Sequence, residues 1–295
     1  MPQLEPYGSL RERLNGVPGV VMLIGAPDTG KTTLGRLLIG DALAAGMTAA
    51  FVDGDVAAAT VGPPACAGLK WVKSQEDLAD LSAADEIRFV GSTEPQGVVL
   101  SHVVAVSSLV EMARRNAEFV VLDTSGLVSG VVGQTLKYHL MELCQPSLVI
   151  AMHRGSELEP IVGMLRRFLS ARVATAEPLP DMVPLPPVER YEQRKAAFAA
   201  AFEEPLPRWR VQTTVFAPTL PEGFDRSRLE AMLVGVLDDH GRCLGLGVLE
   251  HTDGVVRVAT NHGEEMRGLR LGSMRVDLDT FETQRVRLRQ LILGL

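Results

Sequence analysis

Residues 19–38 read GVVMLIGAPDTGKTTLGRLL. The first seven, GVVMLIG, are an unbroken apolar run rich in β-branched residues, the pattern of a strand buried on both faces. From Lys31 onward the spacing changes. Leu34, Leu37, Leu38, Ala42 and Ala45 recur at helical intervals, which predicts a helix over 31–47. Between strand and helix lies GAPDTGKTT (25–33), a full match to G-x-x-x-x-G-K-[ST]. In that setting the glycines let the backbone curl until successive N–H groups face one centre, and the helix adds its positive dipole end. Gly25, Ala26, Pro27, Asp28, Thr29, Gly30, Lys31, Thr32 and Thr33 thus form a phosphate cradle. Lys31 is placed to reach the β- and γ-phosphates and Thr32 to ligate Mg²⁺.

Strands and helices alternate outward from this loop. Strands are predicted over 48–55 (TAAFVDGD), 86–92 (EIRFVGS), 119–126 (FVVLDTSG) and 147–154 (SLVIAMHR). Helices are predicted over 9–14, about 99–115 and about 157–170. Buried strands alternating with helices imply an α/β fold, a doubly wound, mostly parallel sheet of the P-loop NTPase type. Near residue 175 the chain turns Pro-rich, and a helix follows over about 188–202. Beyond it come short strands and the hairpin signals DDHGR and HTDGV. The expected organisation is a P-loop domain over 1–205 and a small antiparallel β module, barrel-like, over 206–295.

Composition narrows the function classes. Hydrophobic residues make up 46% and charged residues 22%, enough to bury a substantial core. The formal charge of −7 argues against indiscriminate binding of polyanions but leaves room for a local basic channel. Cys66, Cys144 and Cys243 fit no metal-ligand spacing and suit a reducing compartment. The N-terminus lacks the order of a signal peptide, and no apolar run reaches membrane-spanning length. The expected location is cytoplasmic, without membrane association.

Two acidic strand ends complete the reading. Asp123 closes FVVLDTSG, where a carboxylate can hold Mg²⁺ directly or through water. Asp53 and Asp55 close TAAFVDGD and, two residues apart in an extended strand, are expected to share a face. An acid beside the cradle can orient or deprotonate the group that accepts the γ-phosphate. No N-K-x-D motif of guanine-specific GTPases follows the strand at 147–154.

In order along the chain, IGAPDTGKTT, FVDGDVAAATVGPPACAGL, FVGSTEPQG, the long stretch from VVLDTSG to PSLVIAM, VERYEQRKAAFAAAF and the β-rich end resemble one family. It is that of the P-loop polynucleotide 5′-hydroxyl kinases, the RNA-processing kinases of mRNA-cleavage and pre-rRNA-processing complexes, especially their shorter prokaryotic members. The resemblance implies transfer of a phosphate from ATP or GTP, with Mg²⁺, to a 5′-hydroxyl end of RNA or DNA. Lys31 falls among the catalytic residues, and Thr32, Asp55 and Asp123 fall on the metal site. Asp55 falls on the acid that activates the 5′-hydroxyl. Arg190 and Arg194 fall in the lid helix, where they would clamp developing charge. Thr93, Glu94, Gln96 and His102 fall on the acceptor segment, although His102 also reads as a core or capping residue.

The acceptor half departs from the family pattern. Ala57 and Ala58 replace a Gly-Gln pair, Glu94 stands where a small hydroxyl residue is usual, and Leu127 replaces an aromatic residue. Glu189 and Glu192 make the lid less basic. An alternative is therefore a nucleotide-binding regulatory or scaffold protein that has weak or lost transfer; a small-molecule kinase is a third. The C-terminal module is open to RNA or to a protein partner.

Overall fold

The computed structural model describes residues 7–293, and in it the apolar run before the cradle forms β1 (Gly19–Gly25). Its parallel neighbours are β5 (Phe119–Thr124) and β6 (Leu148–Met152). Two further parallel strands flank these, β2 (Ala49–Gly54) beyond β5 and β7 (Val173–Ala176) beyond β6. Alternation along β1 sends Val20, Met22 and Ile24 to one face and Val21 and Leu23 to the other. The first set packs under α4 (Val99–Asn116), α5 (Gly130–Cys144) and α6 (Glu159–Leu169). The second packs under α1 (Gly8–Leu14) and α2 (Lys31–Ala44). Both faces of the parallel strands are covered, which is why they read as continuous apolar runs.

Beyond β2 the sheet turns antiparallel through β3 (Cys66–Val72) and β4 (Glu86–Phe89). Sequence periodicity assigns no strand to CAGLKWV; β3 is a return strand that begins right after the Gly-Pro-Pro turn. The short α3 (Gln75–Ala79), held by a Ser74–Asp77 capping box, leads back toward β4. The order β4-β3-β2-β5-β1-β6-β7 therefore mixes antiparallel and parallel pairs.

The helix at 188–202 appears as α7 (Pro187–Ala201). After it come β8 (Arg208–Arg210), β9 (Phe216–Ala217), β10 (Met232–Leu237), β11 (Cys243–Thr252), β12 (Val255–Ala259), β13 (Gly268–Val276) and β14 (Thr283–Arg285), then α8 (Leu288–Leu293). They pair along the path β8–β12–β11–β10–β13–β14, all antiparallel, and β9 adds a parallel pair to β13. Among the described residues no pair joins β8 to β14, so the ladders form an open path rather than the barrel-like ring expected. The module joins the main sheet through one register pair, Cys243 with Ile87. A shared core strengthens the junction: Phe89 packs with Phe198, Phe202, Leu206, Leu233, Leu246 and Val248. Among the described residues no helix is long and apolar enough to cross a membrane.

Phe89 stands where the parts meet, and it is 2% exposed. Phe89→Ala is expected to cost about 3–5 kcal/mol through the cavity it leaves. Urea unfolding of the variant against the wild type measures this.

Candidate active site

The cradle is built by close packing and by two left-handed backbone positions. Gly30 caps α2 with φ 84°, a conformation natural to glycine, and Asp28 takes φ 58°. An Asp tolerates that region at a cost of roughly 1–2 kcal/mol, and here its side chain is engaged. Asp28 Oδ2 accepts the Leu185 N–H (2.9 Å) and lies 3.2 Å from Arg190 Nη2. Gly126 passes so close to the cradle that an added Cβ would lie 2.7 Å from Pro27 Cγ, so the D-T-S-G turn admits no side chain there. Within the loop, Thr29 Oγ1 and Lys31 Nζ each donate to the Ala26 carbonyl at 2.9 Å.

The acids gather at the carboxyl ends of adjacent strands. Asp53 on β2 and Asp123 on β5 are register partners, and both are buried. Asp123 Oδ2 accepts the Thr32 hydroxyl at 2.5 Å, while its Oδ1 is buried with no partner among the described residues. Burial pushes the Asp123 carboxyl up to about 6, against the opposing pull of Lys31 and Thr32. Burial, then Asp123 and Asp55, push Asp53 well above the carboxylate range. Asp53 is spent on structure: Oδ1 accepts the Asp55 N–H (2.8 Å), and Oδ2 accepts those of Thr60 (2.5 Å) and Val61 (3.0 Å). It organises the loop that displays Asp55.

Asp55 lies just past the end of β2 and is partly exposed. Its Oδ1 accepts the N–H groups of Ala57 (3.0 Å) and Ala58 (3.3 Å). The two alanines thus serve the acid through their backbones. No described residue donates a hydrogen bond to Asp55 Oδ2, so one carboxylate oxygen is fixed and the other is free to act. Thr32 and the orphaned Asp123 Oδ1, with the nearby Asp55 carboxylate, are oxygen donors of the chemistry a hard divalent cation takes.

His102 supports this arrangement from behind. It has no exposed surface, and its Nε2–H donates to the Gly54 carbonyl at 2.7 Å. Burial lowers its pKa to about 4, which keeps the ring neutral. It braces the residue before Asp55 instead of lining an acceptor groove. Thr93 is likewise buried, at 5% exposure, whereas Glu94 is exposed and Gln96 partly so. The Glu94 charge has a counter-ion, since Arg285 Nη1 lies 3.3 Å from its Oε2.

Of the lid arginines, Arg190 reaches the cradle. It donates to the Leu185 carbonyl from Nε (3.1 Å) and Nη2 (2.8 Å) beside its ion pair with Asp28. Arg194, one turn on, has a buried Nε with no partner among the described residues. Arg154 joins the segment before α7 to the cradle, donating to the carbonyls of Asp28 (2.8 Å) and Met182 (2.6 Å).

Sequence reasoning missed Lys137. It sits on α5 with no exposed surface, and its Nζ donates to the Ser125 carbonyl at 2.6 Å. Burial, then the charge of Lys31, lowers its pKa to about 7, opposed by Asp55 and Asp123. The signal was present: Gly133, Leu136, Lys137, Leu140 and Cys144 fall on one helical stripe, and a lysine there is out of place.

The sheet, the cradle and the acids at the strand ends define a protein of the P-loop NTPase type. Residues 25–204 match the family described as mRNA cleavage and polyadenylation factor CLP1 P-loop, and the chain belongs to that family. A polyribonucleotide 5′-hydroxyl-kinase of Pyrococcus abyssi is 29% identical over 300 aligned positions, covering 84% of this chain and 82% of that protein. One of Methanocaldococcus jannaschii is 25% identical over 319 positions and covers 88% of each. A Clp1p structure solved in complex with Pcf11p superposes with a TM-score of 0.67 at 13% identity, over 90% of this chain and 78% of that one, a likeness of fold.

Lys137 titrates near 7 in the fold, against 10.5 for an ordinary lysine. Between those values the unfolded chain binds more protons than the folded one, so this residue adds stability as pH rises from about 7 toward 10.5. Below about 7 both states hold the proton and its contribution is flat. Lys137→Met is expected to abolish the rise. Urea midpoints of wild type and variant at about pH 6 and pH 9 check this: the wild type should gain on the variant at the higher pH.

Proposed function

We propose that the protein is a nucleoside-triphosphate-dependent polynucleotide 5′-hydroxyl kinase, which transfers the γ-phosphate of ATP or GTP to the 5′-OH end of RNA or DNA. The observation that carries this reading is Asp55, held by one carboxylate oxygen beside the phosphate cradle with the other oxygen free. Its family membership and the names of its relatives support the same reaction class. In the same proposal, residues 1–205 form the kinase unit and 206–295 a module packed against it.

The roles follow from position. The N–H groups of the cradle and the α2 N-terminus bind the β- and γ-phosphates. Lys31 leaves the Ala26 carbonyl to meet them, since a phosphate is the stronger acceptor. Thr32, Asp55 and Asp123 would hold Mg²⁺, which when bound would neutralise phosphate charge. Asp55 Oδ2 takes the proton of the 5′-hydroxyl as its oxygen bonds to the γ-phosphorus. The bond from that phosphorus to the β–γ bridging oxygen breaks, and the nucleoside diphosphate leaves. Arg190, and Arg194 with its unpartnered Nε, turn toward the charge that develops between the two oxygens. Lys137 holds the Ser125 carbonyl and, while protonated, sets a positive charge behind the acids.

Transfer of labelled γ-phosphate to a 5′-hydroxyl oligonucleotide tests the reading. Asp55→Asn is expected to lower kcat by about 10²–10⁴-fold, the range for losing a general base, with nucleotide affinity little changed. Lys31→Ala is expected to lose nucleotide binding as well. Wild-type protein that binds nucleotide normally and phosphorylates no oligonucleotide would overturn the proposal in favour of a regulatory or scaffold role.

A further inference from the structure

The C-terminal module grips the segment that opens α4. Arg285, the last residue of β14, donates from Nη2 to the Gln96 carbonyl at 2.8 Å, and its Nη1 lies 3.3 Å from Glu94 Oε2. On β13, Arg270 donates to Ser101 Oγ (3.0 Å) and the Phe89 carbonyl (3.3 Å), and the Ser273 N–H donates to the Gly91 carbonyl at 2.7 Å. From Val99 to His102 is about one helical turn, roughly 5 Å of rise, and His102 touches Gly54, the residue before Asp55. The end of β14 is therefore joined to the Asp55 loop through residues 94–102, the segment whose His102 braces Gly54.

From Arg285 the chain continues Val-Arg-Leu-Arg. Val286 and Leu288 pack onto the C-terminal core, whereas Arg285, Arg287 and Arg289 are exposed. No Asp or Glu occurs over 283–293. The guanidinium groups of Arg287 and Arg289 form no hydrogen bond or ion pair with any described residue. Arg228 reinforces the charge from behind, its Nη2 donating to the Gln290 carbonyl at 2.6 Å. On a chain of net charge −7, two unspent arginines, Arg287 and Arg289, directly after the Arg285 that grips residues 94–96 call for an anionic partner.

We propose that Arg285, Arg287 and Arg289 form an arginine track for the sugar–phosphate backbone of the polynucleotide, just 3′ of the end held at Asp55. The inference rests on the kinase reading above and extends it, since it makes a strand longer than one nucleotide the preferred acceptor. Guanidinium groups bind phosphate oxygens as bidentate donors, and contacts of this kind fix register without reading sequence. Arg285 also positions the acceptor loop, because it spends part of its charge on Glu94 and Gln96.

The test is the double substitution Arg287→Ala, Arg289→Ala in the full chain. Neither side chain has a partner among the described residues, so the thermal melt should not move. Affinity for a labelled 5′-OH single-stranded RNA of about twenty nucleotides is measured across a salt series. The plot of log K against log salt should flatten by about 1.4, at about 0.7 per lost charge for single strands. KM for that RNA should rise about tenfold, with kcat and KM for a nucleoside 3′-phosphate, too short to reach the track, unchanged. The corresponding double Lys variant should restore the salt slope. An unaltered slope and KM in the double Ala variant overturn the track while leaving the kinase reading intact. A wild type that binds no RNA also overturns it. A wild type that binds RNA with a slope the variant flattens, yet transfers no phosphate, upholds the track and removes the kinase reading.

Discussion

Asp53 and Asp123 are neighbours in register on adjacent parallel strands, both buried, with Asp55 beyond them. Like charges so placed repel strongly in a poorly solvated site, and the surrounding structure answers that repulsion. Three backbone N–H groups satisfy Asp53, the Thr32 hydroxyl satisfies one oxygen of Asp123, and Lys31 and Lys137 supply positive charge. What is left over is specific: one orphaned oxygen on Asp123 and one free oxygen on Asp55. The protein completes the acids' coordination except where a metal ion and an acceptor would enter.

This places the departures from the family pattern in a new light. The alanines at 57 and 58 remove side-chain polar groups but keep the backbone donors that fix Asp55. The extra charge of Glu94 is met by Arg285, a residue 191 positions away in the chain. That exposed pair contributes little to stability, as surface ion pairs do, but it balances the Glu94 charge locally. The segment from Phe89 to Ser101 is thus held by side chains from the C-terminal module.

The parallel core and the cradle were legible because their signals are local. A buried strand, a Gly-rich turn and a helix of regular spacing occupy consecutive residues, so GVVMLIGAPDTGKTT declares itself. Asp123 and Asp55 were legible as acids at the ends of apolar runs. β3 was not, since CAGLKWV mixes Lys70 and Trp71 into a short strand whose partners lie on both sides in the chain. Asp53 and Asp55 do not act as a matched pair, because the loop after Gly54 folds back onto Asp53. Lys137 hid because a single lysine on an apolar stripe is read as an exception until its partner, the Ser125 carbonyl, is seen. The contacts of Arg285 join distant segments, and no local pattern reports them.

The anchoring of α7 has a mechanical side. Its C-terminal end is pinned by Phe198 and Phe202 in the core shared with the β module, whereas Val188 and Tyr191 near its start are exposed. The helix is thus a lever with its fulcrum at one end and its arginines toward the other. Arg190 lies eight residues from Phe198, about 12 Å along the axis. A pivot of only about 10° at the fulcrum would sweep Arg190 through about 2 Å on that geometry, enough to exchange Asp28 for another anion. The β module packs around that end of the helix, so its packing would resist such a pivot.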